Sequence, residues 1–251
     1  LRLYCILLEL PNSSYSAAMR DSSALYPRYG ARRVRVFLQR DGMVMGRDRA
    51  ARIWALASLQ VPAKKVRKRY RSQNRQPFVA TAPNQVWAYD FVFDGCANGQ
   101  KLKCLTIVDE FSKESLFIDV AGSIRSQQLI EVLEKLMDKR GCPLVLRSDN
   151  GPEFVSLALL QWAADKGLRN LLIEPGKPWQ NGTNESFNGK FRDECLAMNW
   201  FYSRDHAKVI IEAWRQHYNA VRPHSSLDYK TPLEFMSEWG NELTNGVGVS
   251  R

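Results

Sequence analysis

The sequence predicts an α/β layered sheet preceded by a small basic helical region, and three observations carry that reading. Three short apolar runs follow one another closely, Val86 to Phe93, Leu102 to Asp109 and Leu116 to Val120, separated only by GCANGQ and EFSKE. Such spacing suggests an antiparallel meander. Helical and strand-like stretches then alternate from Ser126 onward, the pattern of a sheet covered by helices. Charge is also uneven: residues 1–80 carry 17 Lys/Arg against 4 Asp/Glu, whereas residues 81–251 carry 19 against 22. The front of the chain is therefore the polyanion-binding part.

Size and composition set the bounds. With 251 residues, 45% apolar and 11% aromatic, the chain can bury one medium core and a small second one. No apolar stretch approaches the roughly 20 residues that span a bilayer, so no membrane partner is expected. Cys5, Cys96, Cys104, Cys142 and Cys195 form an odd set with no CxxC pair. They read as free thiols in a cytoplasmic, nucleoid-associated protein. His206, His217 and His224 lack cysteine partners at zinc-finger spacing, so no structural zinc is implied.

In chain order, residues 1–25 have a weak pattern and no structure is assigned to them. Residues 26–62 form a basic helical region with helices Ala31 to Arg40 and Arg47 to Leu59, whose apolar positions are Val34, Phe37, Leu38, Ile53, Trp54 and Leu56. Their polar faces hold Arg32, Arg33, Arg40, Arg49 and Arg52. A helix-turn-helix-like unit and a plain helical hairpin are equally open. Residues 63–80 contain Lys64, Lys65, Arg67, Lys68 and Arg69, too charged to pack, and read as a linker along a phosphate backbone. The core spans 81–200. After its three strands comes a helix, Ser126 to Arg140, with Leu129, Ile130, Leu133, Leu136 and Met137 on one face. A strand ending at Asp149, a helix from Ser156 to Lys166, a strand from Leu171 to Ile173 and a helix carrying Glu185 complete it. Residues 201–251 are a helix from Asp205 to Ala220, broken at Arg222-Pro223, and a tail read as lying on the surface.

Three acids stand out. Asp90 sits inside an apolar strand, Asp149 at the turn after another, and Glu185 near a helix start, with 35 residues between the last two. Buried carboxylates are costly unless paired or bound to a cation. Oxygen donors without nearby Cys or His select hard ions, so Mg2+ or Mn2+ is expected, and two such ions can activate a hydroxyl and stabilise a leaving oxygen. Each acid has a plainer reading: a solvent-facing strand residue for Asp90, a turn former for Asp149 and a helix-dipole acid for Glu185. Asp94, Asp109, Asp119 and Glu153 are the other acids within reach, and Asp109-Glu110, at a strand end, is expected to meet solvent.

The phrases SDNGPEF (148–154), NESFNGKFRDE (184–194) and YNAVRPHSSLDYKTPLEF (218–235) resemble those of retroviral-integrase-like DDE transposases, in particular the OrfB product of bacterial insertion sequences. RYGARRV (28–34) is similar to the helical region that precedes the catalytic part in that family. The resemblance covers about Tyr26 to Met236. It implies a ribonuclease-H-like fold with a mixed five-stranded sheet flanked by helices, and Asp90, Asp149 and Glu185 as catalytic acids and metal ligands. The implied activity is transposition: divalent-metal-dependent cleavage at the element's ends to expose a 3′-hydroxyl, then attack by that hydroxyl on target DNA, with no covalent protein intermediate. DNA ends and target duplex, further copies of the chain on DNA, and an upstream OrfA segment are the implied partners. The family also suggests a longer lead-in before RYGARRV than this chain carries. Arg192, seven residues after Glu185 and on the same helix face as Glu185 and Asn188, is expected to face DNA, the alternative being a salt bridge to Asp193 or Glu194. Trp179 and Gln180 could insert at a DNA end or pack inside, and His224 is as readily structural as catalytic. The rival functions are a non-catalytic DNA-binding regulator and a nuclease or junction resolvase of the same fold.

Overall fold

The computed structural model describes residues 14–61, 78–172 and 182–244, and the chain forms two compact units, residues 1–73 and 74–251. Cys5, the basic run from Lys64 to Arg69 and the Trp179-Gln180 pair lie outside the described residues. The first unit is built from α1 (Ser14–Leu25), α2 (Ala31–Arg40) and α3 (Arg47–Leu56), each packed on the other two. Helix α1 lies in the stretch to which the sequence assigned no structure. Its buried residues are only Ser16 and Met19, too few to print a 3.6-residue period in the sequence. Met19 joins Val34, Leu38, Ile53 and Trp54 in a small core, while Tyr26, Tyr29 and Phe37 stack with centroids 4.8–6.0 Å apart. Helix α3 stops at Leu56, short of Leu59, because Ser58 turns left-handed at φ 57° and leaves Leu56 half-exposed. Arg32, Arg40 and Arg52 are exposed, whereas Arg33 and Arg49 lie over Tyr29 and Tyr15.

The second unit contains one five-stranded sheet in the order β3-β2-β1-β4-β5. Strands β1 (Val86–Gly95), β2 (Lys101–Asp109) and β3 (Ser115–Ala121) form the expected antiparallel meander. Strands β4 (Val145–Ser148) and β5 (Arg169–Leu172) add on in parallel, joined by crossovers through helices. Helices α4 (Ser126–Arg140) and α5 (Leu157–Asp165) cover the face carrying Trp87, Tyr89 and Phe91. Helices α6 (Gly182–Glu194) and α7 (Arg204–Ala220) cover the opposite face, where Val92, Cys104 and Val108 meet Phe187, Phe191 and Tyr218. Both faces of the central strand β1 are buried, which explains its nearly unbroken apolar sequence. Asp90 is its one interior acid.

The outer strand β3 is closed off by α7 rather than left to solvent. Asn219 presents its amide to Ser115 like an added strand residue: Oδ1 accepts from the Ser115 N–H at 2.9 Å and Nδ2 donates to the Ser115 carbonyl at 2.9 Å. Arg215 Nη1 donates to the same carbonyl at 2.8 Å. An open strand edge is thereby blunted. The segment after α7 was expected at the surface and is instead largely inside. Arg222, Pro223, His224, Leu227 and Thr231 are buried, and the chain resumes as α8 (Pro232–Thr244). The reason is a buried charge: Arg222 forks onto Glu194, Nε to Oε2 at 2.6 Å and Nη2 to Oε1 at 2.5 Å, both side chains being under 10% exposed. Among the described residues no helix is long and apolar enough to cross a membrane.

Removing one half of such a pair strands the other charge in a dry site. Arg222→Met is therefore expected to lower unfolding free energy by about 3–5 kcal/mol in urea titrations followed by tryptophan fluorescence, and Arg222→Met/Glu194→Leu to recover most of the loss.

Candidate active site

Parallel pairing of β1 with β4 matches Ala88 to Arg147. Side chains alternate along a strand, so the residues two further on, Asp90 and Asp149, leave the sheet on the same side. That side is the one covered by α6. Asp90 is mostly buried: its Oδ1 accepts from the Phe91 N–H at 2.7 Å and its Oδ2 from Asn188 Nδ2 at 2.8 Å. Asn188 is held in turn by the Thr106 hydroxyl, 3.0 Å from its Oδ1. The same hydroxyl lies 3.2 Å from the Asp90 carbonyl, so its single proton serves one acceptor at a time.

Burial, and next the charge of Asp149, push the Asp90 carboxyl up to about 6, against the opposing pull of the Phe91 N–H, Arg192 and Asn188. Two acids and one arginine thus share an electrostatic neighbourhood. Asn188, grouped with the DNA-facing residues from its spacing, points inward instead: it is 2% exposed and its amide is used up by Asp90 and Thr106. The four-residue step from Asn184 to Asn188 follows the buried stripe of α6, a signal concealed because both residues are polar on a polar-looking helix.

Asp149 is aimed by its own turn. Its Oδ1 accepts from the Gly151 N–H at 2.9 Å. A Cβ on Gly151 would sit 3.1 Å from that oxygen and 3.1 Å from the Phe154 ring, so glycine is what lets the carboxylate and the aromatic close over the turn. Phe154 stacks on Phe91 with centroids 4.7 Å apart and meets Tyr89 edge-on at 4.9 Å. Glu153, one of the alternative acids, is tied up in an ion pair with Lys103, which holds its carboxyl below the usual range. The Lys103 ammonium also donates to the Ile124 carbonyl at 3.1 Å and sits 3.9 Å above the Phe91 ring. Lys103 and Arg147 are anchors that sequence reasoning missed. Arg147, two residues before Asp149, is 2% exposed and donates to Glu110 Oε2 and the Phe78 carbonyl, both at 2.6 Å. A charge at the third position of the short VLRS strand was its only trace.

Asp109 and Glu110 do not meet solvent as expected. Asp109 accepts from the N–H groups of Asn84, Phe111 and Ser112, and Glu110 pairs with Arg147. Both acids organise the β2–β3 turn. Asp94 is exposed and Asp119 accepts from Gln128 Nε2 at 3.2 Å. His224 is structural in its contacts, buried edge-on against Tyr218 with Nε2 3.2 Å from the Tyr218 carbonyl. Glu185 lies exposed in the first turn of α6, directly after the undescribed residues 173–181. Among the described residues, no three His, Cys, Asp or Glu side chains are gathered closely enough to hold a metal ion: the structure brings Asp90 and Asp149 into electrostatic contact and does not gather Glu185 with them, although Glu185 shares α6 with the Asn188 that holds Asp90.

Two models described as integrase core domain match this chain, over residues 80–178 and 166–232. The insertion element IS407 uncharacterized 31.7 kDa protein of Burkholderia multivorans is 44% identical over 211 residues, 84% of this chain and 76% of the relative. The insertion element IS476 uncharacterized 39.2 kDa protein of Xanthomonas euvesicatoria is 38% identical over 92% of this chain and 67% of its own length. Among solved structures, a chain of the simian T-cell lymphotropic virus intasome in complex with PP2A regulatory subunit B56 gamma superimposes with a TM-score of 0.54 at 18% identity, covering 80% of this chain and 69% of that one. That likeness concerns the fold, whereas the sequence relatives carry the family: the chain belongs to the DDE transposases of bacterial insertion sequences, polynucleotidyl transferases built on the integrase core domain.

Proposed function

We propose that Asp90, Asp149 and Glu185 are the catalytic acids of this transposase and hold two Mg2+ or Mn2+ ions while it cleaves insertion-sequence ends and joins them to target DNA. The observation that carries the reading is the β1–β4 register, which sends Asp90 and Asp149 out of the sheet on one side, where burial and the second carboxylate push the Asp90 carboxyl up to about 6. A divalent cation relieves both costs at once, and an all-oxygen donor set suits a hard ion. When bound, the ions supply charge stabilisation at the phosphodiester and an activated hydroxyl nucleophile.

The chain's own residues do the positioning. Asn188 and the Phe91 N–H fix the Asp90 carboxylate, and the Asx turn fixes Asp149. Arg192, within electrostatic reach of Asp90, offers positive charge to the DNA backbone next to the acids. Arg32, Arg33, Arg49 and Arg52 of the first unit, and the basic run Lys64, Lys65, Arg67, Lys68 and Arg69, are further DNA contacts in this reading, Arg33 and Arg49 keeping their guanidinium groups over aromatic rings. Assembly of several copies on DNA, with or without an OrfA-type segment, belongs to this proposal through the family resemblance.

The test is incubation of the chain with a labelled duplex bearing candidate element ends in Mg2+ or Mn2+. Joined products are expected for the wild type and none for Asp149→Asn, with DNA binding retained in both; binding without metal-dependent cleavage in the wild type would favour a regulator, and hydrolysis without joining a nuclease. Asn188→Leu is expected to slow joining by about 10–100-fold, as loss of a residue supporting a metal ligand does.

A raised carboxyl stabilises the fold below its unfolded value and loses that contribution as pH rises through its folded value. In EDTA, the stability of Asp90→Asn relative to wild type should therefore climb between pH 4 and 7 by roughly 3 kcal/mol, a shift from 3.8 to about 6 at 1.36 kcal/mol per unit. Mg2+ should shrink that difference; a flat difference in urea unfolding across the same range would refute the ionisation strain.

A further inference from the structure

On the side of α6 away from Asp90, a cavity of about 270 Å³ opens between the start of that helix, the β2–β3 turn and the turn after α7. Its polar lining is Lys113, Thr183, Ser186, Lys190, His224 and Ser226, over a floor of Phe187 and the Tyr218 ring. Two ammonium groups, three aliphatic hydroxyls and an imidazole line one small space, with no carboxylate side chain among the described residues.

Lys113 is the informative member. Its ammonium donates to the Glu110 carbonyl and, at 3.3 Å, to Thr183 Oγ1, two neutral oxygens for three N–H donors. Among the described residues no carboxylate accepts from it, since Glu110 is engaged by Arg147 and Asp109 by the turn's own N–H groups and the Ser112 hydroxyl. Burial pulls its affinity for a proton down, and the acids nearby only partly restore it. Its backbone is left-handed at φ 60°, a conformation that Gly or Asn adopts more cheaply. Across the cavity Lys190 donates to Ser186 Oγ at 2.8 Å, holding a second ammonium and a hydroxyl side by side. A desolvated cation facing hydroxyls at a helix start is a receptor for an oxyanion.

We propose that this cavity binds one backbone phosphate of the DNA duplex, through Lys113 and Lys190 with the hydroxyls of Thr183 and Ser186. The contact rests on the chain acting on DNA, as proposed above. It sets the register of the duplex and carries no base information. Because Thr183, Ser186 and Lys190 all lie on α6, a phosphate so held is tied to the helix that bears Glu185.

The test is fluorescence anisotropy of a labelled duplex with the full chain over a series of salt concentrations, using Lys113→Met, Lys190→Gln and, as a charge control outside the cavity, Lys208→Gln. Each cavity variant is expected to weaken binding to cognate and unrelated duplexes alike and to lower the slope of log affinity against log salt by up to about 1, while Lys208→Gln leaves it unchanged. Melting curves establish that each variant is folded; if Lys113→Met is not, Lys190→Gln decides alone. A slope equal to wild type in the folded cavity variants overturns the proposal, including the case in which the cavity holds only inorganic phosphate. Asp149→Asn separates the two ideas: cleavage surviving in that variant would sink the catalytic assignment and leave the phosphate contact standing, whereas an unchanged slope in the Lys variants would do the reverse.

Discussion

The parallel pairing of β1 with β4 is the constraint on which the rest of the second unit depends. It sets Ala88 against Arg147, and by alternation sends Asp90 and Asp149 out of the same face although 58 residues intervene. A slip of one residue would turn Asp90 into the apolar layer of Trp87, Tyr89 and Phe91 and bring those rings under α6. Both faces are packed, so that slip is heavily penalised. The register that buries the core is also the register that brings the acids together.

Around that pairing the chain spends buried charge freely, and each charge has a structural duty. Arg147 joins the end of β4 to Glu110 after β2, Lys103 joins β2 to the turn that follows Asp149, and Arg222 joins the segment after α7 to the end of α6. Buried pairs of this kind add little net stability over apolar substitutes, but they tolerate only one arrangement. The three pairs link elements distant in sequence, and two of them flank the candidate acids. We read them as the fixtures of a site whose two central carboxylates repel one another.

The first unit follows different rules. Its core is small and its arginines are many, with Arg33 and Arg49 lying on tyrosine rings so that charge and packing are served by the same side chains. Its first helix has almost no apolar stripe and is held by its two neighbours. A helix stabilised by tertiary packing alone leaves little periodicity to read.

Strong periodicity and turn chemistry made the five strands, helices α2 to α7 and the turn at Asp149 legible in the sequence by itself, and the ordered phrases around them were enough to suggest the family. Only the tertiary structure decided which polar residues turn inward. Asn188, Asp109, Glu110, Arg147 and Arg222 are all residues whose composition says surface, and each is buried because a partner from another part of the chain satisfies it: Asp90 and Thr106, the β2–β3 turn, the Arg147–Glu110 pair, Glu194. Apolar burial is written locally, as a period along one element. Polar burial depends on a partner that the fold alone brings near, so no window of sequence contains it.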